Sequence, residues 1–476
     1  MRAPPALLAA LLLAGCVQPT LAPAALAPAP TELDTGRFVA AHAAGGAPVA
    51  VDPRVVPRFI AETLPHAGGE PTLGVTSEGV LFLVADAKVL RSVDGAASWE
   101  VVSTPLSAPP ATLDPFLYVD PATDRVYSDQ LYVGCSWLSW SDDRGDTWTT
   151  NPVACGLPAN DHQKLVAAAK RANVLTPAFA TGRVLYYAYN AIVGGTSRVA
   201  MSYDGGRTFP VSSVSWPGGS CSTGLHGDLV ADEDGVVYLP KRDCEGFVLL
   251  RSMDSGLTWT STPVGRDAGG TLCRKDADLA LDDEGTLYGV WTGGDNHVYL
   301  QTSQDRGDTW RERSLDASPP GVAMATMPAV VAGSGGRAAI AWLGTDDASA
   351  RGPDEVREDA RWHLYVTTTL DALSDVPTFV TVQVTDDPVQ VGPIDTNSEC
   401  DAPGGSRNLL DFIDAKLAPD GRVLVSYTDG CVDACVDSLA MEDSRSARVG
   451  FAQIASGPSL RAELPAIAAP LAGPSR

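Results

Sequence analysis

Glu70, Asp114, His162, His226, Asp276 and Asp414 each stand just ahead of a short apolar run, and Met327 holds the same place ahead of a seventh. Carboxylates and imidazoles converging from six places can bind a divalent cation such as calcium, or share protons as general acid and base. Glu70 or Asp114 working with Asp276 or Asp414 would make the carboxylate pair of a glycoside hydrolase, their separation fixing the stereochemical outcome. The same residue types also cap turns and meet water in a channel, and that alternative stays open.

The seven runs are 71–75, 116–119, 164–166, 228–230, 278–281, 329–331 and 416–418, each followed by a second β-branched or aromatic run. What spaces them is a repeat. Ser-x-Asp-x-Gly-x-Thr-Trp, or a close variant, recurs at 92–99, 141–148, 202–209, 252–259 and 303–310, with aspartates Asp94, Asp143, Asp204, Asp254 and Asp305. Ala96 replaces the glycine in the first copy and Phe209 the tryptophan in the third. A period of roughly 50 residues is the length of one four-stranded antiparallel sheet with its turns, and predicts propeller blades. The motif fits the hairpin between third and fourth strands, its Asp and Ser/Thr side chains bonding turn backbone and its aromatic packing inward. A catalytic carboxylate is not needed five times, so these aspartates read as structural. Blades six and seven lack the motif at 367–373 and 451–457. The fold expected is all-β, a single propeller of seven blades, and the segment 54–64 is placed as the outer strand that closes blade seven.

A second set of candidates lies where second strands end. Trp291, Trp342 and Tyr427 share one position relative to Gly285, Gly336 and Gly421, and Trp137 and Trp362 open the next strands. Exposed on one rim, these five would stack on sugar rings or on a partner protein. The alternative is packing between blades. The long charged stretch 344–361 is expected to fold over such a site as a lid or to stay mobile.

The repeat resembles the Asp-box, or BNR, repeat of the sialidase superfamily. That resemblance implies a propeller whose Asp-boxes lie on the face opposite the active site, and directs attention to the face where the polar ring and the aromatics sit. Sialidases carry an arginine of a Phe/Tyr-Arg-Ile-Pro motif at the first inner strand, the first of three that clamp the substrate carboxylate. Here the segment reads Gly69-Glu70-Pro71-Thr72-Leu73, which places a repelling glutamate there, and Arg58 is too far upstream to replace it. Seven blades also depart from the six of true sialidases.

The chain opens with Met1-Arg2, an apolar run at 6–13 and Leu13-Ala14-Gly15-Cys16, which resembles a bacterial lipoprotein signal: 1–15 would be removed and Cys16 lipidated. Residues 16–50 and 458–476 are rich in Ala and Pro and read as an extended tether and tail around the propeller at 51–457. The expected location is the bacterial cell envelope, outside the cytoplasm, with the lipid as the only membrane contact. Eight further cysteines, Cys135, Cys155, Cys221, Cys244, Cys273, Cys400, Cys431 and Cys435, suit disulfides in an exported chain. Proximity suggests Cys135 with Cys155, and Cys400 with Cys431 or Cys435, among 105 possible pairings.

A formal charge of −24 disfavours nucleic acid and anionic lipid. There is no phosphate-binding glycine loop, no His-Glu-x-x-His helix and no Gly-x-Ser-x-Gly elbow. The expectation is a propeller whose loop face recognises a glycan or a cell-surface protein. A glycoside hydrolase and an assembly scaffold are the other readings.

Overall fold

The computed structural model describes residues 34–104, 106–108, 114–132, 134–154, 159–171, 182–191, 195–217, 225–243, 246–266, 277–396, 405–439 and 447–468. They form seven antiparallel blades in a ring, with almost no helix. Blade two is typical: from the axis outwards it runs Pro115–Val119, Val126–Tyr132, Cys135–Ser141 and Thr149–Ala154. The innermost strands of the others are Leu73–Val75, Asn160–Ala169, Val230–Ala231, Ala277–Leu281, Met324–Ala332 and Asp414–Leu417. Each inner strand packs against those of both neighbouring blades, the seventh against the first.

Strands buried on both faces read as continuous apolar runs. The second strand of blade one, Leu81–Ala85, is buried throughout, and so is that of blade six, Ala338–Thr345. The core lies between blades: Tyr127, Leu138 and Trp140 of blade two pack against Leu165, Leu185 and Tyr187 of blade three.

Blade seven is built from both ends of the chain. Its inner three strands are Asp414–Leu417, Val423–Asp429 and Arg448–Ser456, and its outer strand is Arg58–Ala67, paired with Arg448–Ser456. The expected closure at 54–64 is therefore present, displaced toward its C-terminal end. The second half of the presumed tether is not extended chain: it carries two strands. Asp34–Thr35 pairs with the closing strand, and Arg37–Ala43 adds a fifth strand to blade six beside Thr378–Gln383. As an added strand it buries Ala41 and His42 on its two faces, the imidazole 5.7 Å from the Phe379 ring. The tail too is ordered to residue 468. Leu460 is fully buried, its carbonyl accepts from Ser334 N at 2.9 Å, and Gly457 and Ile467 form a bridge.

All five motif hairpins lie between third and fourth strands and share one hydrogen-bond set. In the copy at 141–148, Ser141 Oγ donates to Asp143 Oδ1 (2.8 Å) and accepts from Gly145 N (2.7 Å), while Asp143 accepts from Thr147 N (2.8 Å) and Thr147 Oγ1 (2.6 Å). The Thr147 bonds, hydroxyl first, bring Asp143 down to about 2, as expected of a carboxylate that only accepts. Blade six keeps a worn copy that the sequence did not disclose: Thr369 Oγ1 donates to Asp371 (3.0 Å), which accepts from Thr378 N (2.9 Å) across a longer loop. Blade seven has no place for one, because its third-to-fourth junction is the ring closure between distant parts of the chain.

Phe59 of the closing strand is 1% exposed, among Val384, Val425 and Ile454. Phe59→Ala should cost about 3–5 kcal/mol and lower the unfolding midpoint of the whole domain. A single cooperative transition shifted to lower denaturant is expected; a separate early transition confined to blade seven would show that the ring does not depend on this strand.

Candidate functional site

Inner strands of adjacent blades do not hydrogen-bond to each other, so their edge N–H groups need other acceptors. Side chains at the head of neighbouring inner strands supply them. Thr72 Oγ1 accepts from Leu117 N (2.7 Å), Asp114 Oδ2 from His162 N (3.0 Å), and Asp414 Oδ2 from Leu73 N (2.9 Å). Asp278 spans three blades, accepting from Asp228 N (3.2 Å) and Val330 N (2.9 Å). Glu70, His162 and Met327 hold their places with left-handed backbone, at φ of 53°, 52° and 54°. For non-glycine residues this conformation costs energy that surrounding structure must offset.

Sequence reasoning missed two lysines. Lys164 Nζ meets Asp228 at 3.1 Å, and Lys416 Nζ meets Asp228 at 2.9 Å and Asp414 at 2.6 Å. Against the upward push of burial, Lys416 and Lys164 hold the Asp228 carboxyl far below its usual range. The available signal was a lysine opening an inner strand in two blades of an acidic chain. Beneath them lies a cavity of about 40 Å³, lined by His162, Lys164, His226, Asp228, Asp278 and Asp414. That is room for water and not for a sugar ring. His226 is 1% exposed, neither ring nitrogen has a partner, and burial followed by the nearby His162, Lys241 and Lys164 keeps it neutral.

Nearer the loop face the acids crowd. Glu70 Oε1 accepts from Asp411 N at 3.1 Å, the carboxyls of Asp114 and Asp161 are hydrogen-bonded to each other, and Arg407 pairs with Asp411 at 2.7 Å. Burial first, then Asp411 and Asp114, pushes the Glu70 carboxyl well up. Burial, with the Asp161 carboxyl adding to it, raises Asp114 to about 7.

Among the described residues no group of three or more His, Cys, Asp or Glu is arranged to hold a metal ion. Glu70, Asp114, His162, His226 and Asp414 are thus not gathered into a ligand set. Their oxygens serve backbone N–H groups and lysines, and His226 is turned into the cavity. Asp276 lies outside the described residues.

Four of the five aromatic candidates are corrected. Trp291, Trp342, Trp362 and Tyr427 are at most 1% exposed. Trp291 lies where a Cβ on Gly265 of the neighbouring blade would come within 2.3 Å, and Tyr427 covers its cross-strand partner Gly450. Trp342 stacks on Tyr365 at 4.7 Å, and Trp362 Nε1 donates to the Gly392 carbonyl. Trp291, Trp342 and Tyr427 fill the space left at Gly265, Gly344 and Gly450, and Trp362 is buried in the core of blades six and seven, which is the packing alternative. Trp137 is the exception. It stays half-buried, edge-to-face with Tyr132 at 5.7 Å, beside Leu106, whose carbonyl accepts from Trp137 Nε1 and which is itself 79% exposed.

The stretch 344–361 is neither lid nor loose. Asp347 accepts from Arg357 N, Val356 and Ala360 are buried, and Pro353 O accepts from Ile394 N. Cys431 is bonded to Cys435, not to Cys400, because the short helix Ala434–Ser438 turns Cys435 back beside it, with Cα atoms 5.0 Å apart. Cys135 is also disulfide-bonded. Cys155, Cys221, Cys244, Cys273 and Cys400 lie outside the described residues.

No protein-family model and no curated protein matches this chain. Solved structures do. A protein of unknown function from Dyadobacter fermentans is 14% identical at a TM-score of 0.40, covering 88% of this chain and 98% of its own. A leech intramolecular trans-sialidase is 13% identical at 0.38, covering 81% and 67%. The Aleuria aurantia lectin is 12% identical at 0.40, covering 68% and 98%.

Asp278 also gives the fold a pH dependence. Burial first, then the charge of Asp228, raises its carboxyl from 3.8 to about 7. Between those values the folded chain binds the proton more tightly than the unfolded one, so this contribution is full below about pH 4 and lost as pH rises through about 7. Asp278→Asn should lower the melting temperature throughout, yet reduce its fall between pH 5 and 8 by roughly 2 °C. Parallel curves for the two proteins would refute the assignment.

Proposed function

We propose that this protein is an exported, lipid-anchored propeller that recognises a glycan on its loop face, without hydrolysing it. The observation that carries the reading is the accessible Tyr132–Trp137 pair on the rim of blade two, in a chain that buries its other large candidate aromatics. Edge-to-face rings with one polar tip occupied offer a flat apolar surface to a sugar face. Leu106 and Val153, 79% and 70% exposed, extend it on the same blade.

Binding is favoured over turnover by geometry. Of the candidate acids, Asp414 is engaged with Leu73 N and Lys416, and Asp114 with His162 N and the Asp161 carboxyl. The axial cavity, at about 40 Å³, is too small for a sugar ring. The arginine that would begin a sialic-acid clamp is a glutamate.

On a broad glycan array the protein should give a selective signal that Trp137→Ala reduces at least tenfold, with no loss of printed sugar over time. Trp342→Ala should instead lower stability by about 3–5 kcal/mol. A blank array would leave the rim as a protein interface.

The anchor rests on Leu13-Ala14-Gly15-Cys16. Cys16→Ser expressed in a bacterial host should move the protein from the membrane fraction to the soluble one and remove the mass of the lipid; a variant still membrane-bound would refute lipidation at this residue.

A further inference from the structure

The face of blade two that turns to blade one is covered near the axis and bare at the rim. Leu117, Val119 and Val126 pack against Phe82 and Val84 of blade one. Alternation along Val126–Tyr132 puts Tyr132 on that same face, and Trp137 joins it through the cross-strand pairs Cys135 with Tyr132 and Trp137 with Gln130. Blade one does not reach the rim, because its fourth strand ends after Glu100–Val101. A turn in the chain that follows partly fills the space. Ser107 N and Ala108 N donate to Thr104 O at 3.0 Å, Ser139 Oγ donates to Ser107 O at 2.9 Å, and Leu106 O accepts from Trp137 Nε1 at 3.2 Å and Thr150 Oγ1 at 3.1 Å. The Leu106 side chain is thereby held beside the indole and still exposed. In the bulge between Ser136 and Leu138, exposed Val153 stands opposite Trp137.

Two further observations limit what this platform can read. The stretches 101–113, 130–141 and 149–160 that build it contain no Asp, Glu, Lys, Arg or His, although 19% of the chain is charged. Its polar side chains are also taken up by the fold. Ser139, Thr150 and the indole N–H hold the turn, and Asn151 donates to the Gly206 and Arg207 carbonyls while accepting from Val153 N.

We propose that this platform takes an uncharged saccharide chain whose pyranose rings carry all their hydroxyls equatorially, as in a β-linked glucan. The inference rests on the glycan reading above and names the sugar class. Such a ring turns axial C–H groups outward on both faces, which suits two aromatic rings 5.7 Å apart with aliphatic side chains beside them. An anionic sugar would find no counter-charge in these stretches and would meet the field of a chain at −24. A sugar told apart by an axial hydroxyl needs a directional donor or acceptor, and the groups named above are already bonded.

The test is calorimetric titration of the full chain in detergent with cellotetraose, a β-linked galactose tetramer, and cellotetraose oxidised to a carboxylate on every ring. Cellotetraose should bind at least fivefold more tightly than either of the others, with an affinity that changes less than twofold between about 50 and 500 mM salt. Trp137→Ala should weaken it at least tenfold. Leu106→Asp, at a side chain that packs under nothing, should do the same with the melting temperature unchanged. Equal binding of the three tetramers, or preference for the galactose or oxidised form, each lost in Leu106→Asp, would overturn the neutral equatorial class and leave the glycan reading standing. Cellotetraose binding untouched by both substitutions would also overturn the proposal, since the sugar would then lie elsewhere. Absence of binding by all three would overturn the sugar class, and together with a blank glycan array would overturn the glycan reading too.

Discussion

Seven sheets meet at the axis edge to edge without pairing, so the structure depends on what satisfies the inner N–H groups. Carboxylates and a threonine from adjacent blades do so, at 2.7 to 3.2 Å. The choice has a cost, because each carboxylate then sits in a low-dielectric channel beside others of its kind. Lys164 and Lys416 offset part of it where they reach, around Asp228 and Asp414. Toward the loop face Lys164 and Arg407 only partly counter the burial of Glu70, and the acids there are pushed toward neutrality. The same residues thus both tie the ring together and carry strongly raised carboxyls.

The fold was legible because a repeat reports architecture directly. Asp94, Asp143, Asp204, Asp254 and Asp305 sit in equivalent hairpins with equivalent bonds, and five of the seven inner strands start within two residues of where apolar runs begin, those of blades three and six starting four and five residues earlier. The chain ends were less legible. Alanine- and proline-rich segments look unable to bury a core, yet Ala41, Leu460 and Ile467 are buried because blades six and seven already present grooves for them. Composition describes what a segment brings, not what surface it meets.

The site was half legible. Residues ahead of inner strands do converge, as blade periodicity requires, but their roles could not be read: a periodic aspartate is equally a metal ligand and a cap for a neighbour's amide until register is known. The aromatics failed for a different reason. Trp291 lies over Gly265 of the neighbouring blade and Tyr427 over its cross-strand partner Gly450, and only the folded packing reveals the gap that each ring fills. Trp137 has no such glycine opposite and remains at the surface.

The order in which the first strands join the ring bears on how the domain takes mechanical load. A pull at the head of the described chain does not reach the closing strand Arg58–Ala67 directly. It is met first by Asp34–Thr35, then by Arg37–Ala43, held along its length by Thr378–Gln383 of blade six and by the Arg37–Gln383 side-chain bond at 2.6 Å. Tension is therefore spread over two blades, and the seam can stay shut while the segment ahead of it yields, as a cable clamp protects the joint behind it.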